Sequence, residues 1–200
     1  MTTATIVMPR RPPIERVPPI ASTRIAMMAL VTSELMLFAG LIGMYIVIRL
    51  SHPVWPPADQ PRLPLFVTAL NSIALFASIV PLTVALRAIR RDDLRRTALA
   101  LAATTVLGVL FLAVQGAEWT RLVQHGLTLG SSQYGAAFYV LIGCHATHVA
   151  AAVIWLAAVS LLAARGRYRA DAHAGLEMCA IYWYFVAALW AVLFPLVYLY

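Results

Sequence analysis

The apolar positions of this chain come in blocks. Five stretches, residues 25–48, 65–86, 97–119, 136–162 and 176–199, are almost continuously hydrophobic, and short polar or arginine-bearing segments separate them. At 1.5 Å per residue each can cross a hydrocarbon core of ~30 Å, the fourth with some tilt. A segment that satisfies its own backbone in hydrocarbon is a helix, since strands would need a closed barrel with an alternating pattern. The pattern predicts an all-α, polytopic membrane bundle of five transmembrane helices, residues 21–200, behind a flexible tail of residues 1–20. That tail carries Pro9, Pro12, Pro13, Pro18 and Pro19 among arginines. It lacks the apolar core of a cleavable signal, so the first span reads as a signal anchor.

Composition agrees with the blocks. A hydrophobic fraction of 62%, only 12% charged residues and a mean hydropathy of +0.82 exclude an ordinary soluble domain. All 15 basic residues are arginine. Arg10, Arg11, Arg16 and Arg24 precede the first span; Arg87, Arg90, Arg91, Arg95 and Arg96 join the second to the third; Arg165, Arg167 and Arg169 join the fourth to the fifth. Only Arg49, Arg62 and Arg121 fall on the other side. This asymmetry predicts the N-terminus in the cytoplasm and the C-terminus outside. A pI near 10.0 could suggest nucleic acid, but these arginines flank spans rather than cover a soluble domain. Membrane phospholipids are the expected partners, with Arg24, Arg87, Arg95 and Arg96 as candidate headgroup contacts.

Against that background one residue stands out. Glu34 is a carboxylate in a run that is otherwise apolar, small or weakly polar, where an ionisable group costs at least ~2.5 kcal/mol. It lies ~13 Å in from residue 25. The fourth span runs back, which puts His145 ~14 Å and His148 ~18 Å from its outer end, and Tyr184 lies ~12 Å into the fifth. These four residues define a candidate polar cluster near the midplane. Glu34 fits either a neutral acid buttressing helix packing or a proton-linked or lipid-linked group. His145 and His148, at i and i+3, fit interhelical hydrogen bonding.

Other features have plainer readings. A membrane haem held by histidines of two facing helices is not expected, because both membrane histidines are on one span while His52, His125 and His173 are in loops. No metal site is expected in this chain. Cys144 and Cys179 are placed at different depths, which argues against a disulfide. Gln115 and Glu118 near the outer end of the third span, beside Trp119, read as a solvated interface with an aromatic anchor. The run His52-Pro53-Val54-Trp55-Pro56-Pro57 ends the first helix, with Trp55 a candidate headgroup anchor. Pro81 and Pro195 predict kinks inside spans. Ala39, Gly40 and Gly43 permit a close helix contact.

Taken in order, the motifs resemble subunit III of haem-copper oxidases, the cytochrome c oxidase subunit 3 family. Ser33-Glu34-Leu35-Met36-Leu37-Phe38-Ala39-Gly40 followed by Trp55-Pro56-Pro57 is similar to the first helix that the short and long forms share. Gln115-Gly116-Ala117-Glu118-Trp119, Tyr134-Gly135 with Phe138, and Gly143-Cys144-His145-Ala146-Thr147-His148-Val149 resemble the next motifs, and Tyr182-Trp183-Tyr184-Phe185-Val186 with Trp190 resembles the last helix. The resemblance, from about residue 24 onward, is to the five-helix bacterial form.

It implies a subunit of the bacterial inner membrane with no catalytic residue and no cofactor of its own. Haem and copper would reside in partner subunits I and II. The chain would pack on subunit I, bind phospholipid and support proton uptake and sustained dioxygen reduction. Glu34 matches the family's buried, carbodiimide-reactive carboxylate. Two positions depart: Tyr184 stands where the family usually has histidine, and Ala187 where it has aspartate. The departures leave open a subunit III-like protein of a quinol oxidase or of a nitric oxide reductase complex. A stand-alone proton-coupled transporter is the rival from another class, although no internal repeat is visible. A transient assembly factor would present the same helix faces.

Overall fold

The computed structural model describes residues 19–57 and 60–199, and residues 1–18 of the expected tail lie outside the described residues. The ordered chain consists of α1 (Pro19–Leu50), α2 (Leu65–Ala77), α3 (Ile79–Ile89), α4 (Leu94–Gln124), α5 (Gln133–Ala164) and α6 (Ala174–Phe194), followed by a π-helical turn, Pro195–Leu199. Among the described residues there is no strand, only an isolated bridge between Arg169 and Ala172. Five segments are long and apolar enough to cross a membrane, α2 and α3 together making the second. The chain is a multi-pass, all-helical membrane protein.

Local chemistry explains where the helices break and end. The second crossing is interrupted at Ser78 because Pro81 has no N–H for the carbonyl four residues back. The ladder resumes at once, with Leu82 N–H donating to Ser78 O at 3.3 Å. Pro195 has the same defect, and there the last turn widens into the π-helix. α4 and α5 are both longer than their hydropathy blocks because side chains cap them. Asp93 Oδ1 accepts from Arg96 N–H at 2.9 Å, and Ser132 Oγ accepts from Gly135 N–H at 3.0 Å. Hydropathy reports where the chain is apolar, whereas a cap sets where the helix begins.

α6 is the hub of the bundle. It touches α1, α5 and α3, while α4 packs on α2, α3 and α5, and α1 packs on α5 and α6. Half of the most apolar window of α6 is buried, against about a tenth for α1. Trp183, Trp190, Phe38, Phe111 and Phe138 are fully enclosed. Three side-chain hydrogen bonds fasten α6 to the second crossing. Trp190 Nε1–H donates to Ser72 Oγ at 2.8 Å, and Trp183 Nε1–H to Ser78 Oγ at 2.9 Å. Thr83 Oγ1 donates to Ile79 O, which leaves it to accept from the Tyr184 hydroxyl at 2.9 Å. An indole N–H in an apolar interior needs such an acceptor, and bonds of this kind contribute on the order of 0.6 to 1.7 kcal/mol each.

The ends of the bundle are tied as well. At the arginine-rich end Arg24 and Arg90 both reach Glu177 in the first turn of α6, and Asp92 accepts from Ala170 N–H at 3.3 Å. At the opposite end Trp55 is half-buried. Its ring meets Tyr45 and Tyr134 edge-on at 6.0 and 5.0 Å, and Arg49 lies over it at 5.7 Å, so the loop after α1 is pinned onto α5.

Gly108 of α4 leaves room for the Trp183 ring of α6. A Cβ there would lie 2.7 Å from Trp183 Cη2 and 3.0 Å from Val153 Cγ2, and Trp183 cannot swing away without losing Ser78. Gly108→Ala is therefore expected to destabilise the bundle by about 1–3 kcal/mol in a detergent unfolding titration. Gly116→Ala, with nothing within 4 Å of the added carbon, is the control and should leave the midpoint unchanged or slightly raised. A neutral Gly108→Ala would refute the close-packing account.

Candidate functional site

The polar centre of the bundle is a pair joining α1 to α5. Glu34 Oε2 lies 2.8 Å from His148 Nε2, with the two side chains 21% and 16% exposed. The other ring nitrogen of His148 is 2.7 Å from the carbonyl oxygen of Cys144, one turn back on α5. A carbonyl can only accept, so Nδ1 carries a hydrogen and donates it. That decides the chemistry at Nε2. Either Glu34 is a neutral acid donating to a neutral imidazole, or it is a carboxylate accepting from an imidazolium. Both arrangements have the same total charge and differ by the position of one proton. The pair can thus hold a proton, and move it across a single hydrogen bond, with no change of net charge in an apolar setting.

Neighbouring rings confine this bond. Phe38, one turn beyond Glu34, meets His148 edge-on at 5.1 Å and His145 at 6.3 Å.

The other residues expected at this depth do not join the pair. His145 is buried and stacks on Trp190, with ring centroids 5.1 Å apart and planes at 17°. Neither of its ring nitrogens has a hydrogen-bond partner among the described residues. Two histidines at i and i+3 thus diverge: His148 faces α1 and His145 faces α6. Tyr184 points to Thr83 on α3. Sequence depth places residues along the membrane normal but says nothing of azimuth.

The remaining motif residues are scattered. Ser33 Oγ donates to Leu30 O on its own helix at 2.7 Å. Trp55 and Pro56 lie in the loop after α1, Trp183 is enclosed in the core, and Phe185 packs beside Tyr182 at 6.2 Å. Gln115 Nε2–H donates to the Tyr198 hydroxyl at 3.2 Å. Glu118 departs from the expected solvated acid: its side chain is 8% exposed and meets Arg121 at 2.8 Å, because the wall of α4 that carries it faces the bundle. Of the headgroup candidates, Arg24 is engaged by Glu177, whereas Arg87, Arg95 and Arg96 are exposed. Both cysteines are free, and among the described residues no three His, Cys, Asp or Glu groups are placed to hold a metal ion.

Glu177 is the functional-looking residue that depth reasoning missed. Its carboxylate, 11% exposed, gathers Arg24 and Arg90, and His173 Nε2 lies 3.3 Å from it. The available signal was its position as the acid in the first turn of α6, where the helix dipole favours negative charge. Ser72 and Ser78 carry no comparable signal.

Comparison with known proteins fits this geometry into a family. Residues 19–200 match the family model described as cytochrome c oxidase subunit III. The chain is 32% identical over 176 residues to the cytochrome c oxidase subunit 3 of Thermostichus vulcanus, covering 88% of this chain and 86% of that protein. It is 35% identical over 168 residues to that of Synechocystis sp., covering 84% and 71%, and 31% identical over 170 residues to that of Corynebacterium diphtheriae, covering 84% and 82%.

The chain belongs to the cytochrome c oxidase subunit III family. Subunit III proteins belong to a multi-subunit respiratory oxidase and have no catalytic centre of their own. The two departures from the usual subunit III sequence now have surroundings. Tyr184 keeps a hydrogen bond through Thr83, and Ala187 is fully enclosed at 0% exposure, a position where a lone carboxylate would be costly.

The hydrogen-bond pattern makes a direct prediction. Nitrogen-15 NMR of histidine-labelled protein should show His148 protonated at Nδ1 wherever the fold persists. A resonance pattern with bare Nδ1 and protonated Nε2 would show the assignment of the pair to be wrong.

Proposed function

We propose that this chain is the non-catalytic subunit III of a bacterial respiratory haem-copper oxidase of the cytochrome c oxidase type. In this reading it is embedded in the inner membrane with its N-terminus in the cytoplasm. The twelve-to-three distribution of arginines supports that orientation. The chain packs on subunit I, which together with subunit II holds the haem and copper. The complex, not this chain, reduces dioxygen.

The observation that carries a functional role for the site is the 2.8 Å bond between Glu34 and His148. A buried structural acid needs any partner that offsets its desolvation. This one has a partner whose remaining nitrogen is fixed by Cys144 O, so the proton at the interface has two defined homes. The pair is also incompletely covered by its own chain. Those features support a group that takes up and returns protons at the flank of the complex during sustained turnover. Phospholipid binding is part of the same reading: Arg87, Arg95 and Arg96 stand exposed at the arginine-rich end, within reach of headgroup phosphates.

Two experiments check the proposal. Affinity purification of the tagged chain in mild detergent should recover subunits I and II in stoichiometric amounts, with haem visible in the reduced-minus-oxidised spectrum. A colourless chain without partners would overturn the assignment. In the assembled oxidase Glu34→Ala should leave that spectrum intact yet shorten the number of turnovers before activity decays. Activity sustained at the wild-type level over many turnovers would reduce Glu34 to helix packing.

A further inference from the structure

The arginines at the α3–α4 end are not equivalent. Arg24 and Arg90 have their guanidinium groups on Glu177. Arg87, Arg91 and Arg96 instead line one concavity of about 380 Å³, together with Val84, Ala88 and Asp93. Among the described residues none of these three arginines enters an ion pair. Asp93, whose Oδ1 accepts the Arg96 backbone N–H as the cap of α4, offsets one of the three charges and leaves the concavity with an excess of positive charge.

The local fold builds this arrangement. Positions 84, 87, 88 and 91 recur at helical spacing on one face at the end of α3, and the chain then reverses through Asp92, whose φ of 57° is left-handed, to bring Arg96 back over that face. Three like charges around one hollow repel each other. An anion with several acceptor oxygens reverses the sign of that interaction, and guanidinium forks match phosphate oxygens in pairs.

We propose that this concavity is a binding site for a phosphate group. The inference rests on the reading that the arginines of this chain meet lipid phosphates, and it narrows that reading to Arg87, Arg91 and Arg96. Arg91 was not among the candidates from sequence, and Arg24 and Arg95 leave the set. The wall of the site favours a phospholipid over a soluble phosphate. Val84 lines it one turn deeper than Arg87, and Val80, one turn deeper again, is exposed, so an apolar strip descends from the phosphate position into the hydrocarbon.

The test uses the full chain, purified and delipidated in mild detergent, with bound lipid counted by native mass spectrometry. Wild type, R87Q/R91Q/R96Q and a control of equal charge loss at the same end, R165Q/R167Q/R169Q, are titrated with dioleoylphosphatidylglycerol, with dioleoylglycerol, which has no phosphate, and with inorganic pyrophosphate. The expected result is one tight phosphatidylglycerol on wild type and control, about tenfold or more weaker on the R87Q/R91Q/R96Q variant, and no comparable retention of dioleoylglycerol. Pyrophosphate binding that shows the same dependence on the three arginines, without retained lipid, would keep the phosphate site and assign it to a soluble ligand. Equal losses in both triple variants would overturn the site while leaving general arginine–lipid contact standing. Undiminished lipid on both would overturn the two together. Size-exclusion elution and helical circular dichroism verify folding, and Arg91→Gln, at an exposed position, replaces the triple variant if it fails to fold.

Discussion

A polar group inside an apolar bundle has no water to turn to, and this constraint organises the whole molecule. Three hydroxyls on the second crossing each satisfy a carbonyl of their own crossing and offer their lone pairs to α6. Ser72 bonds Thr68 O and receives Trp190, Ser78 bonds Leu75 O and receives Trp183, and Thr83 bonds Ile79 O and receives Tyr184. Because each indole or phenol has only one such acceptor, the register of α6 against α2 and α3 is fixed by chemistry as well as by shape. The hub position of α6 follows, and so does the need for Gly108 where α4 must pass over Trp183.

The same constraint explains the surroundings of Glu177 and Glu34. Glu177 lies at the rim, where arginine and histidine can converge on it. Glu34 lies deep, where one imidazole is its hydrogen-bond partner. Among the described residues Glu34 is bonded to His148, whose other ring nitrogen is held by the Cys144 carbonyl. His145 breaks the pattern. It is enclosed with both ring nitrogens unpaired among the described residues, and its face-to-face contact with Trp190 supplies packing without a hydrogen bond.

Much of this could be read along the chain. Block hydropathy located all five crossings, Pro81 and Pro195 marked the two irregular helical stretches, and the ordered motifs led to the subunit III family. Glu34 was visible as costly where it stands. The helix ends were not, because capping by Asp93 and Ser132 depends on a single hydrogen bond each and leaves no trace in an average over many residues. The membership of the polar cluster was legible only in part. Depth along the membrane follows from counting residues at a fixed rise, and it correctly put Glu34 and His148 at similar levels. It could not show that Tyr184 turns to Thr83, or separate His148 from His145, since those choices are angles about a helix axis.

The sequence by itself therefore determined that the protein is a five-crossing membrane bundle of the subunit III family, and which residue types lie at which depth, because helical rise and the cost of burying polar groups are local and one-dimensional. Tertiary structure decided which side chains meet. Glu34 with His148, Glu177 with Arg24 and Arg90, the indoles with Ser72 and Ser78, and the three arginines around the α3–α4 hollow all depend on how helices far apart in the chain rotate and pack against one another. That rotation is set by the sum of many contacts across the bundle, and no single segment encodes it.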